Sequence, residues 1–390
     1  MRRIKCLIIL LISSFTVFSQ TDKLTLNGYV KELFMYYKPE LPLPGTDANH
    51  LSSNLIHNRL NFRWYASNEL TFAVEARNRL FSGQLIREFG FYKDFIDSDP
   101  GYFDLAFTAA SGKSWFLHSM VDRAWIDFTR GKLQIVAGRQ RINWGINLVW
   151  NPNDIFNTFD YFDFDYEERP GSDALKIKYY TGVTSSAELV YKAGRDTDNG
   201  LESFFAGRYR FSKFRYDFQF LGGWMPYDYV VGGGWMGDIR CGGFRGEVSW
   251  FIPKESDNNS EEALVATISG DYTFKNSIYA HGAILYNSSG KTGKAGTREF
   301  FDMNISAKML SPARLNLFGQ ISYPFTPLFS GSFSGILNPS DGSSFMGPVF
   351  TYSIGNNLEL MVTGQLFFGE EGTEYGELGK AAYGRLKWAF

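Results

Sequence analysis

Of the 390 residues only two are cysteine, Cys6 and Cys241, and four are histidine. Cys6 lies in a short apolar stretch near the N terminus, so an exported chain would keep Cys241 alone, which excludes a disulfide framework. His50, His57, His118 and His281 are scattered and give no metal-ligand spacing, so no metal or other cofactor is expected. No apolar run reaches the roughly 20 residues of a membrane-spanning helix. There is no cationic surplus either: 39 Lys and Arg stand against 41 Asp and Glu, so nothing points to a nucleic acid. His118 and Ser119 are adjacent, but neighbours on a strand point to opposite faces. Without a nucleophile motif the chain is not expected to be an enzyme.

What is present is aromatic and alternating. Aromatics make up 17% of the chain, and there are 40 glycines. The last segment, Tyr383-Gly-Arg-Leu-Lys-Trp-Ala-Phe390, puts Leu386, Trp388 and Phe390 on one strand face and Arg385 and Lys387 on the other. A barrel wall between hydrocarbon and water needs that pattern. The other end carries a basic Met1-Arg-Arg-Ile-Lys5, an apolar Cys6 to Ile12, and small-residue positions at Val17 and Ser19. Residues 1–19 therefore predict a signal peptide, with a mature start at Gln20. Removing its three cations takes the formal charge from −2 to about −5. Residues 20–390 predict a single transmembrane β-barrel domain.

Alternating segments place about eighteen strands, near 24–37, 55–66, 69–82, 119–129, 132–140, 173–181, 185–193, 203–211 and 214–224 in the first half. The second half has 229–236, 239–251, 263–274, 277–288, 298–309, 313–323, 346–353, 357–368 and 380–390. Tight turns fall at Ser67-Asn68-Glu69, Arg130-Gly131, Gly182-Val183-Thr184, Ser212-Lys213, Lys275-Asn276-Ser277, Ser311-Pro312 and Gly355-Asn356-Asn357. Longer connections alternate with them at about 38–54, 83–118, 141–172, 252–262, 289–297, 324–345 and 369–379. Short turns alternating with long loops characterise an outer-membrane barrel, and a soluble sandwich has no reason to keep that order. The fold class expected is all-β, an antiparallel transmembrane barrel of about 18 strands with long extracellular loops, in the outer membrane of a Gram-negative bacterium. Gly232-Gly233-Gly234 blurs the strand near 229–236.

Alternation also assigns faces. Leu70, Phe72, Val74 and Ala76 point to lipid, and so do Leu60, Phe62 and Trp64. Arg59, Arg63, Arg77, Arg79, Lys176, Lys178, Arg208, Arg210, Arg215, Arg245, Arg314 and Arg385 then line the pore, with Lys308 and Lys387. An Arg or Lys facing lipid near the midplane would cost about 2–4 kcal/mol. Acidic companions are fewer: Glu75, Asp127, Glu188, Asp217, Glu247 and Asp302. The surplus predicts a lumen that concentrates anions; the alternative is that these arginines pair with carboxylates and fill the interior.

The third long loop, 139–172, is too apolar for a solvated loop, with Trp144, Trp150, Phe156, Phe159, Tyr161 and Phe162. Folded into the barrel, its aromatics could pack while Asp160, Asp163, Asp165, Glu167 and Glu168 meet wall arginines, or form a slide for sugars. An extracellular cap is the other reading. The 83–118 loop, with Phe89, Phe91, Tyr92, Phe95, Tyr102 and Phe103, is a docking surface or a second plug, with a short helix within 86–96.

Gly138-Arg139-Gln140, followed by Trp144-Gly145 and Asn151-Pro152-Asn153-Asp154, is similar to segments of Gram-negative porin-like barrels of the alginate-export type and a related uncharacterised porin family. The signal end and loop style look Bacteroidetes-like. The terminal Phe390 resembles the signal read by the barrel-assembly machinery. The resemblance implies a basic, anion-conducting lumen and makes Arg139 and Asp154 candidate constriction residues beside Trp144, Trp150, Asp160, Asp163 and Asp165. The function expected is passive diffusion of small hydrophilic, anionic solutes or acidic sugars. Polysaccharide export and a plugged barrel anchoring surface machinery are the alternatives.

Overall fold

The computed structural model describes residues 23–41, 46, 48–99, 101–158, 160–165, 169–197, 200–254, 261–296 and 305–390. The expected signal segment, residues 1–19, and Phe159, Glu167, Glu168 and Asp302 lie outside them.

The strands are β1 (Leu24–Lys38), β2 (Leu51–Tyr65), β3 (Leu70–Gly83), β4 (Ala106–Gly112), β5 (Trp115–Arg130), β6 (Leu133–Gln140), β7 (Ser172–Tyr180) and β8 (Ser186–Lys192). A two-residue pairing, β9 (Asp196–Thr197) with β10 (Gly200–Leu201), decorates one connection. There follow β11 (Phe204–Lys213), β12 (Tyr216–Trp224), β13 (Asp228–Ile239), β14 (Gly242–Pro253), β15 (Ala263–Thr273) and β16 (Tyr279–Asn287). The last are β17 (Leu315–Thr326), β18 (Phe329–Leu337), β19 (Ser344–Gly355), β20 (Leu358–Phe368) and β21 (Lys380–Ala389). Each wall strand pairs antiparallel with its neighbours, and β1 pairs with β21, so eighteen strands close on themselves. β4 stands apart as an arm on the upper half of β5, whose lower half pairs with β6.

One end of the barrel carries only short reversals. One is type I′-like, with left-handed backbone at both Phe214 and Arg215, and another has left-handed backbone at Arg240. The other end carries the long connections. The outside is apolar, with Phe62, Trp64, Phe220, Trp250, Ile268 and Trp388 exposed. No helix is long and apolar enough to cross a membrane; the strands do so, as an apolar exterior on a closed barrel requires.

The expected strand count is right, but two positions were wrong in opposite senses. β16 pairs directly with β17, so the wall has no strand between them among the described residues, where one was expected at 298–309. Of that stretch 298–304 lies outside the described residues, and 305–309 is irregular. Ser311-Pro312 is consequently no hairpin turn. The supposed loop 324–345 instead holds β18, paired with β17 and β19. β18 hides because it alternates Ser330, Ser332 and Ser334 inward with Gly331 and Gly335 outward, a composition that mimics a loop. The glycine-rich stretch of β13 is an unbroken strand, paired along its length with β14.

Candidate functional site

The connection from β6 to β7 folds into the barrel, and the wall is built to receive it. Glu247 of β14 accepts the backbone N–H groups of Ile146, Asn147 (2.8 Å) and Asn153 (2.9 Å). Asn153 Nδ2 donates to the carbonyl of Gly233 (2.9 Å), and Ser249 Oγ donates to Asn153 Oδ1 (2.8 Å). Ser269 Oγ reaches Asn147 Oδ1 at 2.6 Å, and Gln219 Nε2 reaches the carbonyl of Trp144 at 2.7 Å. The indole N–H of Trp144 donates to Glu188 Oε1 at 2.6 Å. Across the lumen Lys31 Nζ holds both the carbonyl and the carboxylate of Asp165 (2.7 and 2.9 Å). The glycines of β13 are part of this seat. A Cβ at Gly232 or Gly234 would stand 3.1 Å from the Asn153 amide and 2.8 Å from a backbone carbonyl oxygen of β14, so glycine lets the loop and both strands approach closely.

The loop's rings face the wall. Trp144 is fully buried, and Trp150 and Phe156 nearly so. Phe156 stacks on Phe204 with centroids 4.7 Å apart, while Tyr161 meets Phe318 and Phe162 meets Phe345 edge-on. A sugar slide on Trp144, Trp150 and Phe156 is therefore ruled out, because their faces are already covered. A second filling enters from the opposite wall. The short helices Gln84–Glu88 and Tyr92–Ile96 bury Leu85, Ile86 and Phe89 against the inward Phe81 and Phe116. Phe91, Tyr102 and Phe103 stay exposed.

Most inward arginines are paired. Arg59, buried, reaches Glu75 Oε2 and Asp122 Oδ2 (2.5 and 2.8 Å), and Arg77 Nε lies 3.6 Å from Asp122. Arg123 reaches Glu75 (3.5 Å), Arg208 reaches Glu188 (3.4 Å), and Arg245 pairs with Asp271. Arg385 bridges Glu359 (2.7 Å) and Asp165 (3.6 Å). Arg63 is half exposed, 3.7 Å from Glu75, and Arg79 contacts His118 Nδ1 (3.1 Å). Lys308 sits in the 288–314 connection and pairs with Asp228 (2.6 Å), and Lys387 lies over Tyr29. Lys176, Lys178 and Arg210 have no ion pair among the described residues; they stand on β7 and β11, toward the short-turn end. Asp122 was missed because a bulge between Glu75 and Ala76 puts it on the same face as Arg123, breaking the alternation.

Three of the expected pore residues sit elsewhere. Arg139 shares the outward face with Ala124 and Ile126, pairs with Asp173 (2.8 Å) and Asp99 (2.7 Å), and donates to the carbonyl of Phe103 (2.5 Å). Gly138, at φ 110°, does not shift the register, so Arg139 stays on that face. Arg215 occupies a hairpin turn, exposed, at φ 68°. Arg314 lies before β17, exposed, with Nε donating to the carbonyl of Gly290 (3.1 Å).

Within the loop Asp154 is buried and accepts the N–H of Trp144 (3.3 Å), with Arg169 at 4.0 Å. Burial pushes its carboxyl up to about 7, against the pull of that hydrogen bond and of Arg169 and Arg141. Burial likewise lowers Arg141 and Arg169. Asp163 has an exposed carboxylate yet lies deep in the barrel. Surrounding protein, with Asp165 and Asp160 close by, pushes it up to about 6. An acid from the loop, Asp163, is thus among the groups exposed inside the barrel, beside the half-exposed Arg63.

The eighteen-strand barrel has counterparts among solved structures. OccAB4 of Acinetobacter baumannii superposes with a TM-score of 0.59 at 9% identity, covering 95% of this chain and 99% of that one. OprD of Pseudomonas aeruginosa gives 0.59 at 7% identity, over 94% and 95%. OccK11 (OpdR) of the same organism gives 0.57 at 8% identity, over 94% and 96%. These are Gram-negative outer-membrane porins. The fold is a porin fold. No protein-family model and no curated protein matches the chain. An even-stranded antiparallel porin barrel with an apolar outside belongs in the outer membrane.

Proposed function

We propose that the protein is a passive channel for small hydrophilic solutes, with anions favoured. The observation that carries this reading is the pairing of an inward-folded, hydrogen-bonded loop with Asp163, whose carboxylate still meets open space deep in the barrel. The loop then narrows the lumen without filling it and acts as a fixed sieve. Solutes that pass Asp163 meet Lys176, Lys178 and Arg210, which form no ion pair among the described residues. A low-dielectric wall focuses such a field into the water it encloses. The many paired arginines weaken the anion preference relative to what the sequence suggests, so a modest selectivity is expected.

The test is single-channel current from refolded mature protein in a planar bilayer under a salt gradient. A stable conductance with a reversal potential on the anion side is expected, moving toward the cation side in the K176Q/K178Q/R210Q variant. Folded protein that conducts nothing would overturn the reading and leave a plugged barrel, the second reading, which the dense hydrogen bonding of loop and helices favours. We further propose that residues 1–19 are an export signal and that the barrel-assembly machinery reads Phe390. The N-terminal residue of outer-membrane protein, by mass spectrometry, tests the first; loss of folded barrel on deleting Phe390 tests the second.

A further inference from the structure

Between the girdles the outer wall is apolar almost all the way round. From β6 to β21 its outward positions are apolar, aromatic or glycine, as with Leu175, Phe220, Val231, Ile268, Phe333 and Val362, all exposed. The charged exceptions there, Arg139 and Asp173, are closed over by Asp99. The wall of β1, β2, β3 and β5 differs. Its outward face carries Glu32, Asn54, Asn58, Asn78 and Ser119. The register sets Asn58, Asn78 and Ser119 side by side across three strands. Ser119 Oγ donates to Asn78 Oδ1 (2.8 Å), Asn78 Nδ2 to Asn58 Oδ1 (3.3 Å), and Asn54 Nδ2 to Glu32 Oε1 (2.8 Å). Glu32 and Asn58 each lie near the middle of a fifteen-residue strand, far from either headgroup layer. Glu32 is exposed, and that amide is its one hydrogen-bond partner among the described residues. Hydrocarbon cannot solvate a carboxylate or a row of amides.

We propose that this wall is the contact of a two-fold homodimer within the membrane. Whatever covers it must bring hydrogen-bond donors and acceptors at mid-membrane depth. In this chain the outer face that has them is the same wall. Amides and hydroxyls both donate and accept, so the row is self-complementary when a two-fold axis sets residue against residue. The Asn54 and Asn58 amides of one copy then meet Glu32 of the other. A head-to-tail ring would put the row against an apolar wall and leave it unmet. The inference needs the barrel in a membrane and does not depend on an open pore.

Single cysteines at Asn58 or Asn78, in a Cys241→Ser background, are oxidised in intact outer membranes before extraction. Cross-linked dimer is expected as the main species for N58C and N78C, with only background for I268C and F333C on other walls. The E32L/N58L/N78L barrel, confirmed as folded by its heat-modifiable migration, is expected to run as a monomer on native gels. The proposal is overturned if N58C and N78C remain monomeric, if they cross-link to a different protein, or if I268C cross-links equally. Bilayer current from the same preparations separates this outcome from a failure of the channel reading.

Discussion

Two carboxylates, Glu247 and Asp154, set how firmly the constriction is held. Glu247 takes three backbone N–H groups of the loop, and hydrogen bonds to a charged group contribute about 1.5–3 kcal/mol each. Glu247→Ala is expected to unseat residues 146–153 and give a larger, noisier single-channel current than the parent; an unchanged current would show the latch to be redundant. Asp154 works in the opposite sense. Free in water it ionises near 4, whereas in the seated loop it does so at about 7. Between those values the seated loop keeps a proton that the detached loop has lost. Seating therefore weakens as pH rises through that window and is weakest above about 7. A spin label at the exposed Leu148 is expected to be more mobile at pH 8 than at pH 5, and Asp154→Asn to reduce the difference, the remainder coming from Asp163. Legibility at this scale followed the alternation. Glu247, Arg59 and Arg385 were assigned inward because their strands are regular, whereas Asp122 was lost to a bulge and Arg139 was placed in the constriction by resemblance to a motif.

For the elements, the decisive fit is between the loop and β13. The same glycines that made the strand hard to recognise are those that a Cβ would drive into Asn153 and Ile146. Gly234→Val is expected to displace the loop and also to strain the β13–β14 pair, since a Cβ there meets the Gly246 carbonyl oxygen at 2.8 Å and Ile146 at 3.0 Å. Proteolysis within 146–153, measured before and after the substitution, checks it; continued protection would mean that the loop can shift to accommodate a side chain. The inward folding itself was legible, because Trp144, Trp150 and Phe156 had to find cover. Which partners cover them was not, because Gln219, Ser249 and Ser269 look like ordinary polar positions until the strands are curved into a wall. The long-short order of connections also misled at 289–345, where an aromatic-poor, serine-rich strand resembled a loop and a loop resembled a strand.

At the scale of the whole molecule, wall and filling are separable. Ladder hydrogen bonds hold the barrel, while the loop is attached by side chains and by Glu247. Replacing residues 144–164 with a short Gly-Ser linker is expected to leave a heat-modifiable barrel whose conductance is several-fold higher; a barrel that no longer folds would show that the loop is structural. Fold class and strand number were readable because lipid outside and water inside impose one pattern on every strand. The character of the lumen was not, since pairing between charges depends on which strands become neighbours across the interior.

The seam between the first and last strands also orders events in time. Tyr29 to Lys38 pair with residues more than three hundred positions away in sequence, so this closure is the slowest kind of contact to form. The loop binds strands from β12 to β15 and also Lys31 and Arg385 beside the seam, so it cannot finish docking until the ring is complete. The loop's contacts with Lys31 and Arg385 are accordingly completed only after the first and last strands have met.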